Sequence, residues 1–189
     1  PVLELSKFIS KDVLNKYKEL KQQKSWINCE NDIHNVSDFV FKNWQEKLYL
    51  ERLEKKSVEI RKMLDSTKNN WEAVFFYFIA KNFGLNVNGD AFFQMAKLTP
   101  FEVIRKESFE AENLDALFYG ALEMLPSIPE DSYSIDLYSR YKYITQKYVL
   151  RDNLSVRVEY FKLRPDNFPT IRLSQLAQLY SKQQNLFSK

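Results

Sequence analysis

The chain has 189 residues, with 28 Lys plus Arg against 25 Asp plus Glu, one His and one Cys, and it is 44% hydrophobic and 15% aromatic. Fifteen Phe, 11 Tyr and 3 Trp exclude a segment that stays unfolded for lack of anything to bury, and the length suffices for a core without disulfides or metal. The longest apolar run, Ala73 to Ala80, falls far short of the roughly 20 residues a bilayer-crossing helix needs, so no membrane association is expected.

Helical periodicity dominates the chain. A short helix is predicted from Lys11 to Leu20, with Val13, Leu14 and Tyr17 on one side, followed by a polar, irregular stretch from Lys21 to Asn35. A long helix follows from Val36 to Leu64, where Val36, Val40, Trp44 and Leu48 recur every fourth residue and Leu53, Ile60 and Leu64 continue the stripe. Its alternating charges read as a solvated face. Asn69 with Glu72 three residues on makes a capping-box start for a helix from Trp71 to Asn82, apolar on nearly every side and therefore central, with Gly84 as a left-handed stop.

Asn88 to Lys97 reads as helical. Thr99, Pro100 and Glu102 supply cap, first and third positions of the next helix. Another spans Glu112 to Leu125, closed by Pro126 and Pro129, and Asp131 or Ser132 caps its successor, with Tyr138, Tyr141, Ile144 and Tyr148 on one stripe and Arg140, Lys147 and Arg151 on another. Val156 to Leu163 alternates as a short strand would, without an evident partner, which leaves a loop as the alternative. Thr170 is read as the cap of a last helix whose Leu173, Leu176, Ala177 and Tyr180 face inward. The expected fold is all-α: a multi-helix globular bundle of about seven or eight helices in a single domain over residues 1–189, with one short extended segment near 156–163 left open.

Scarcities narrow the chemistry. Cys29 has no partner for a disulfide, and with His34 it offers two metal ligands where a zinc site takes three or four, so no metal is expected. A nucleophilic triad would need His34 itself as base. Only Gly84, Gly89 and Gly120 occur, which rules out glycine-rich phosphate loops, and no cofactor is expected. The chain begins at Pro1 without a signal segment, so it reads as a cytoplasmic piece of something longer.

Net charge is +3 but unevenly placed, with residues 138–189 at +7 and the rest at −4. A basic segment interleaved with Tyr and Phe suits phosphate neutralisation with base stacking, and equally a basic helix with a tyrosine core stripe. The densest feature is Lys162 to Arg172, where Pro165 and Pro169 fix the backbone and a helix start lies near Arg164 and Arg172. Guanidinium forks at such a start favour an anion, while the alternative is that either arginine pairs internally and locks the loop. The candidate anion or nucleic-acid residues are Arg157, Lys162, Arg164, Asn167, Phe168 and Arg172.

The run Arg164-Pro165, Asn167 to Arg172 and Gln175-Leu176-Ala177 resembles the most recognisable stretch of the bacterial domain-of-unknown-function family DUF2851. Glu51-Arg52-Leu53-Glu54, Ser57, Trp71-Glu72, Asn82 to Asn88, Pro100 and Gly120 match the family pattern in the same order, whereas Ala121-Leu122-Glu123 departs from its Gln-Ala-Gly. The resemblance implies no reaction. It implies a protein about twice as long as this chain, with a preceding region rich in acidic, His and Trp residues that would house any catalytic site and pair the Val156 strand, and with a further stretch beyond the equivalent of Lys189. Three readings follow: a non-catalytic helical accessory domain whose partners are the remaining regions of the full-length protein, a nucleic-acid module using the basic segment, and part of an enzyme in which Arg164 and Asn167 position substrate.

Overall fold

The computed structural model describes residues 8–22, 26–27, 30, 32–150, 157–183 and 185–188. Cys29, Arg151 and Val156 lie outside the described residues. Among the described residues there are eight α-helices, two 3₁₀ turns and no strand, an all-α architecture. The helices are α1 (Lys11–Gln22), α2 (Asp38–Ser66), α3 (Trp71–Phe83), α4 (Leu85–Leu98), α5 (Phe101–Glu107), α6 (Ala111–Ala121), α7 (Ser132–Tyr148) and α8 (Pro169–Lys182). None is long and apolar enough to cross a membrane.

The chain divides into two compact units, Pro1–Ser57 and Val58–Lys189, and the boundary falls inside α2. In the first unit Ser10 and Ser37 start their helices by accepting from the Val13 and Val40 amides at 3.4 Å each. His34 sits exposed in a 3₁₀ turn, Ile33–Asn35, ahead of α2. No described residue of this unit is buried.

The second unit has a dense core. Phe76 of α3 meets Tyr180 of α8 edge-on at 5.1 Å, Phe118 of α6 nearly parallel at 6.0 Å and Phe101 of α5 at 6.0 Å, so one ring ties four helices. Phe92, Met95, Ile104, Leu114, Leu117, Leu137, Ile144, Leu173 and Leu176 complete the fully buried set. Full burial of one such side chain contributes about 1.5–3 kcal/mol, so this cluster outweighs anything helix propensity supplies.

Helix bodies follow the apolar period, while several ends differ from the sequence reading. Asn70, not Asn69, caps α3 by accepting from the Ala73 amide at 3.0 Å. Asn69 and Lys68 instead adopt left-handed backbone, φ 61° and 54°, and close α2 through the Asn69 amide on the Leu64 carbonyl at 2.8 Å. Gly84 is not left-handed (φ −71°); that conformation falls on Leu85 (φ 54°). Glycine is required at 84 for proximity, since a Cβ there would stand 2.4 Å from the Asn88 carbonyl oxygen. Thr99 caps nothing ahead of it: its buried hydroxyl turns back onto the Met95 carbonyl at 3.0 Å, and Pro100 leads into α5. Thr170 likewise lies inside α8, because Pro169, with its fixed φ, takes the first helical position.

Helix α6 stops at Ala121 rather than Leu125. Glu123 turns left-handed (φ 53°) and the Met124 amide closes on the Tyr119 carbonyl at 2.9 Å, a Schellman-type end without its usual glycine. Val149 ends α7 in the same way (φ 52°). The described residues of the segment near 156–163 form no strand: residues 157–160 are irregular and 161–162 turn. Its missing partner is a side chain. The buried Asn88 amide accepts from the Glu159 N–H at 2.7 Å and donates to the Glu159 carbonyl at 2.8 Å, replacing one rung of a ladder.

Gly120 faces the ring of Tyr141, and a Cβ built there stands 2.2–2.4 Å from three ring carbons, including Cγ near the root of the side chain. The ring cannot yield without moving α7 against α6. Gly120→Ala is therefore expected to destabilise the fold by about 1–3 kcal/mol despite the better helix propensity of alanine, as read by urea unfolding.

Candidate functional site

The basic loop hangs on the Asn88 rung and on α8. Pro165 opens a 3₁₀ turn, Pro165–Asn167, in which the Asn167 amide donates to the Arg164 carbonyl at 2.8 Å. Phe168 is half-buried and packs edge-on against Tyr160 at 5.4 Å, which restricts its face as a stacking platform. Asn167 is half-buried as well. Arg157, Lys162 and Arg164 are exposed. Lys162 is left-handed (φ 62°) with its ammonium 5.3 Å from the Phe161 ring centre, and Arg157 lines a shallow cavity of about 370 Å³ with Leu122, Glu123, Met124, Val158 and Tyr160.

Arg172 does not join them. Its Nε donates to the Phe83 carbonyl at 3.2 Å, its guanidinium lies 5.3 Å from the Phe83 ring centre, and another nitrogen donates to Gln175 at 2.9 Å. A cation on the last carbonyls of α3 complements the helix dipole, so Arg172 ties α8 to the end of α3.

A second polar cluster joins α5, α6 and α7. Glu107, buried at the end of α5, accepts from Lys147 Nζ at 2.8 Å, Tyr148 hydroxyl at 2.7 Å and Asn113 Nδ2 at 3.1 Å. Arg140 donates to Asn113 Oδ1 at 2.6 Å, to Asp136 at 2.7 Å and to Glu110. Burial pushes the Glu107 carboxyl up, but the Lys147, Tyr148 and Asn113 donors outweigh it and hold the group below the usual carboxylate range. Glu107 in turn raises Lys147. The cleft beside them, about 400 Å³, is rimmed by the exposed rings of Phe109 and Tyr143.

Neither partner is poised to exchange a proton near neutrality, which general acid–base work requires. The network locks three helices. Its α7 half was legible in the Arg140 and Lys147 stripe. Glu107 was not singled out, although its spacing of three and four from the apolar Ile104 and Val103 marks it as inward-facing.

Asp115 is the third feature. It lies buried on α6, with Oδ2 accepting from the Ser174 hydroxyl of α8 at 3.3 Å and Oδ1 without a hydrogen-bond partner. Burial pushes its carboxyl up to about 6; Ser174 opposes this and Glu112 adds to it. Tyr119 and Tyr133 are raised, first by their own burial and then by the Asp115 charge. Among the described residues no group of three or more His, Cys, Asp or Glu could hold a metal ion.

Folded Asp115 keeps its proton to about pH 6, whereas the unfolded carboxyl releases it near 3.8, so its contribution is full below 3.8 and is lost as pH rises through 6. Asp115→Asn is expected to stabilise the protein at pH 7 by on the order of 1–2 kcal/mol after solvent screening and to flatten the stability profile between pH 4 and 6. Urea unfolding across that range checks both.

The family model described as a protein of unknown function, DUF2851, matches residues 1–189. Neither a curated protein nor a solved structure matches the chain. The two stretches ending at Asn88 and Arg172, joined by the Phe83–Arg172 contact, are those on which the sequence resembled that family, and the chain belongs to DUF2851, a family of unknown function.

Proposed function

We propose that the chain is a non-catalytic helical accessory module of a longer bacterial, cytoplasmic protein, and that it docks on that protein's remaining regions through α1 and the first half of α2. The observation that carries this reading is an apolar surface with no buried core among the described residues. In Pro1–Ser57 no described residue is buried, yet Phe39 is 77% exposed and Trp44 62%. At helical spacing Val40, Phe41, Trp44 and Leu48 share one side of α2, while Phe39, Leu50 and Leu53 lie opposite. A helix apolar on two sides belongs between neighbours. The saturated Glu107 network supports the non-catalytic part.

A photo-reactive phenylalanine analogue at position 44, crosslinked in the producing cell, tests the docking. Crosslinks to peptides of the same protein from outside residues 1–189 are expected. Products confined to residues 58–189, or none, overturn it.

A second reading is favoured by one specific observation. Arg157, Lys162 and Arg164 are exposed and make no ion pair with a carboxylate among the described residues, unlike Arg140 and Lys147. Such cations suit phosphates of a nucleic acid. Under this reading the triple alanine variant keeps its fold and loses salt-sensitive oligonucleotide affinity, with the log–log salt slope falling by about 2–3. Fluorescence anisotropy of single-stranded and duplex probes measures it, and an unchanged slope removes nucleic acid from consideration.

A further inference from the structure

Phe187 and Ser188, beyond α8, lie on the start of α3. Phe187 lies flat against Trp71, ring centres 5.2 Å apart and planes 7° apart, and tilts against Phe75 at 5.7 Å. The Glu72 carboxylate accepts from the same segment: the Phe187 amide reaches its two oxygens at 3.2 and 3.3 Å, and the Ser188 amide and hydroxyl each reach Oε1 at 2.8 Å. Burial pushes the Glu72 carboxyl up, but the Ser188, Phe187 and Leu186 donors outweigh it and hold it below the usual range.

These are the elements of peptide recognition: a ring in an aromatic slot and main-chain amides on a fixed charge. We propose that Trp71, Glu72 and Phe75 form a peptide-docking site, seen with the chain's own Leu186-Phe187-Ser188 in cis, and that it takes in trans an extended peptide presenting an aromatic residue followed by serine. The seated segment identifies the occupant's chemistry. None of the hydrogen bonds or ring contacts depends on covalent continuity with α8.

Trp71 and Phe187 remain 47% and 48% exposed, so the slot opens to solvent and its occupant can exchange without unfolding the core. Selectivity follows from the donors. Proline at either position removes an amide that Glu72 binds, and an acidic neighbour is repelled. The cis segment competes at high effective concentration, which makes this an autoinhibited site. It uses no residue of α1 or α2 and stands whether or not those dock.

The test uses the full chain carrying Trp26→Phe and Trp44→Phe, which leaves Trp71 as sole indole. Phe187→Ala then empties the slot, and capped acetyl-Asn-Leu-Phe-Ser-amide is titrated while Trp71 emission is followed. Saturable binding is expected, about tenfold weaker when Phe187 is intact and about tenfold weaker with Glu72→Gln. A peptide with alanine for phenylalanine is expected not to bind. Absence of a saturable response in a folded Phe187→Ala chain, or an affinity indifferent to Glu72→Gln, overturns the proposal. Should Phe187→Ala unfold, the unsubstituted chain decides: excess peptide must accelerate amide exchange of Phe187 and Ser188 by NMR, and unchanged exchange overturns the proposal.

Discussion

The second unit is organised around the Phe76 ring. Because α3 is apolar on nearly every side, it can be satisfied only at the centre, and Phe76 there contacts rings from α5, α6 and α8 at once. Helices as short as α5, with seven residues, have no independent stability in water. They persist because Phe101, Val103 and Ile104 are buried in that cluster. The position of every polar feature described above is inherited from it, since α5 carries Glu107, α6 carries Asp115 and α8 carries Arg172.

Around this centre, polar side chains replace the glycine and strand chemistry the chain lacks. Asn88 supplies the hydrogen bonds a neighbouring strand would give Glu159, and Arg172 takes the carbonyl left at the end of α3. Lys68, Glu123 and Val149 end helices in a conformation that usually falls to glycine. Each such residue costs on the order of 1 kcal/mol, a cost acceptable only where tertiary packing already fixes the direction of the chain.

That substitution explains where the sequence was legible. Period-3.6 spacing located the helix bodies, because burial of Leu173, Leu176, Ala177 and Tyr180 depends on spacing alone. Thr99 departs from the sequence reading because a hydroxyl can serve the helix behind it as well as the one ahead, and Thr170 because Pro169 takes the first helical position before it. The Lys162 to Arg172 run was visible as a dense motif, but which arginine faces solvent is a tertiary fact: Arg172 is engaged by a carbonyl 89 residues away in sequence. Glu107 escaped notice because an acidic residue on a short basic-ended helix looks solvated until Lys147 and Tyr148 from α7 are brought to it.

The uneven charge of the sequence acquires a physical meaning in the fold. Residues 138–189 carry +7 and the remainder −4, and the Glu107 network is where the two meet: Glu107, Glu110 and Asp136 from the acidic part neutralise Arg140 and Lys147 from the basic part. Arg172 is satisfied by the dipole end of α3. Three basic groups of this part, Arg140, Lys147 and Arg172, are therefore engaged within the fold. Among the described residues, Lys142 and Lys182 remain outward on their helices, and Arg157, Lys162 and Arg164 share a loop held by one asparagine side chain and two prolines. A charge excess read along a sequence measures a partner surface only after the pairs the fold makes for itself have been subtracted, and here, among the described residues, that subtraction leaves Lys142 on α7, Lys182 on α8 and the Arg157, Lys162 and Arg164 group on one loop.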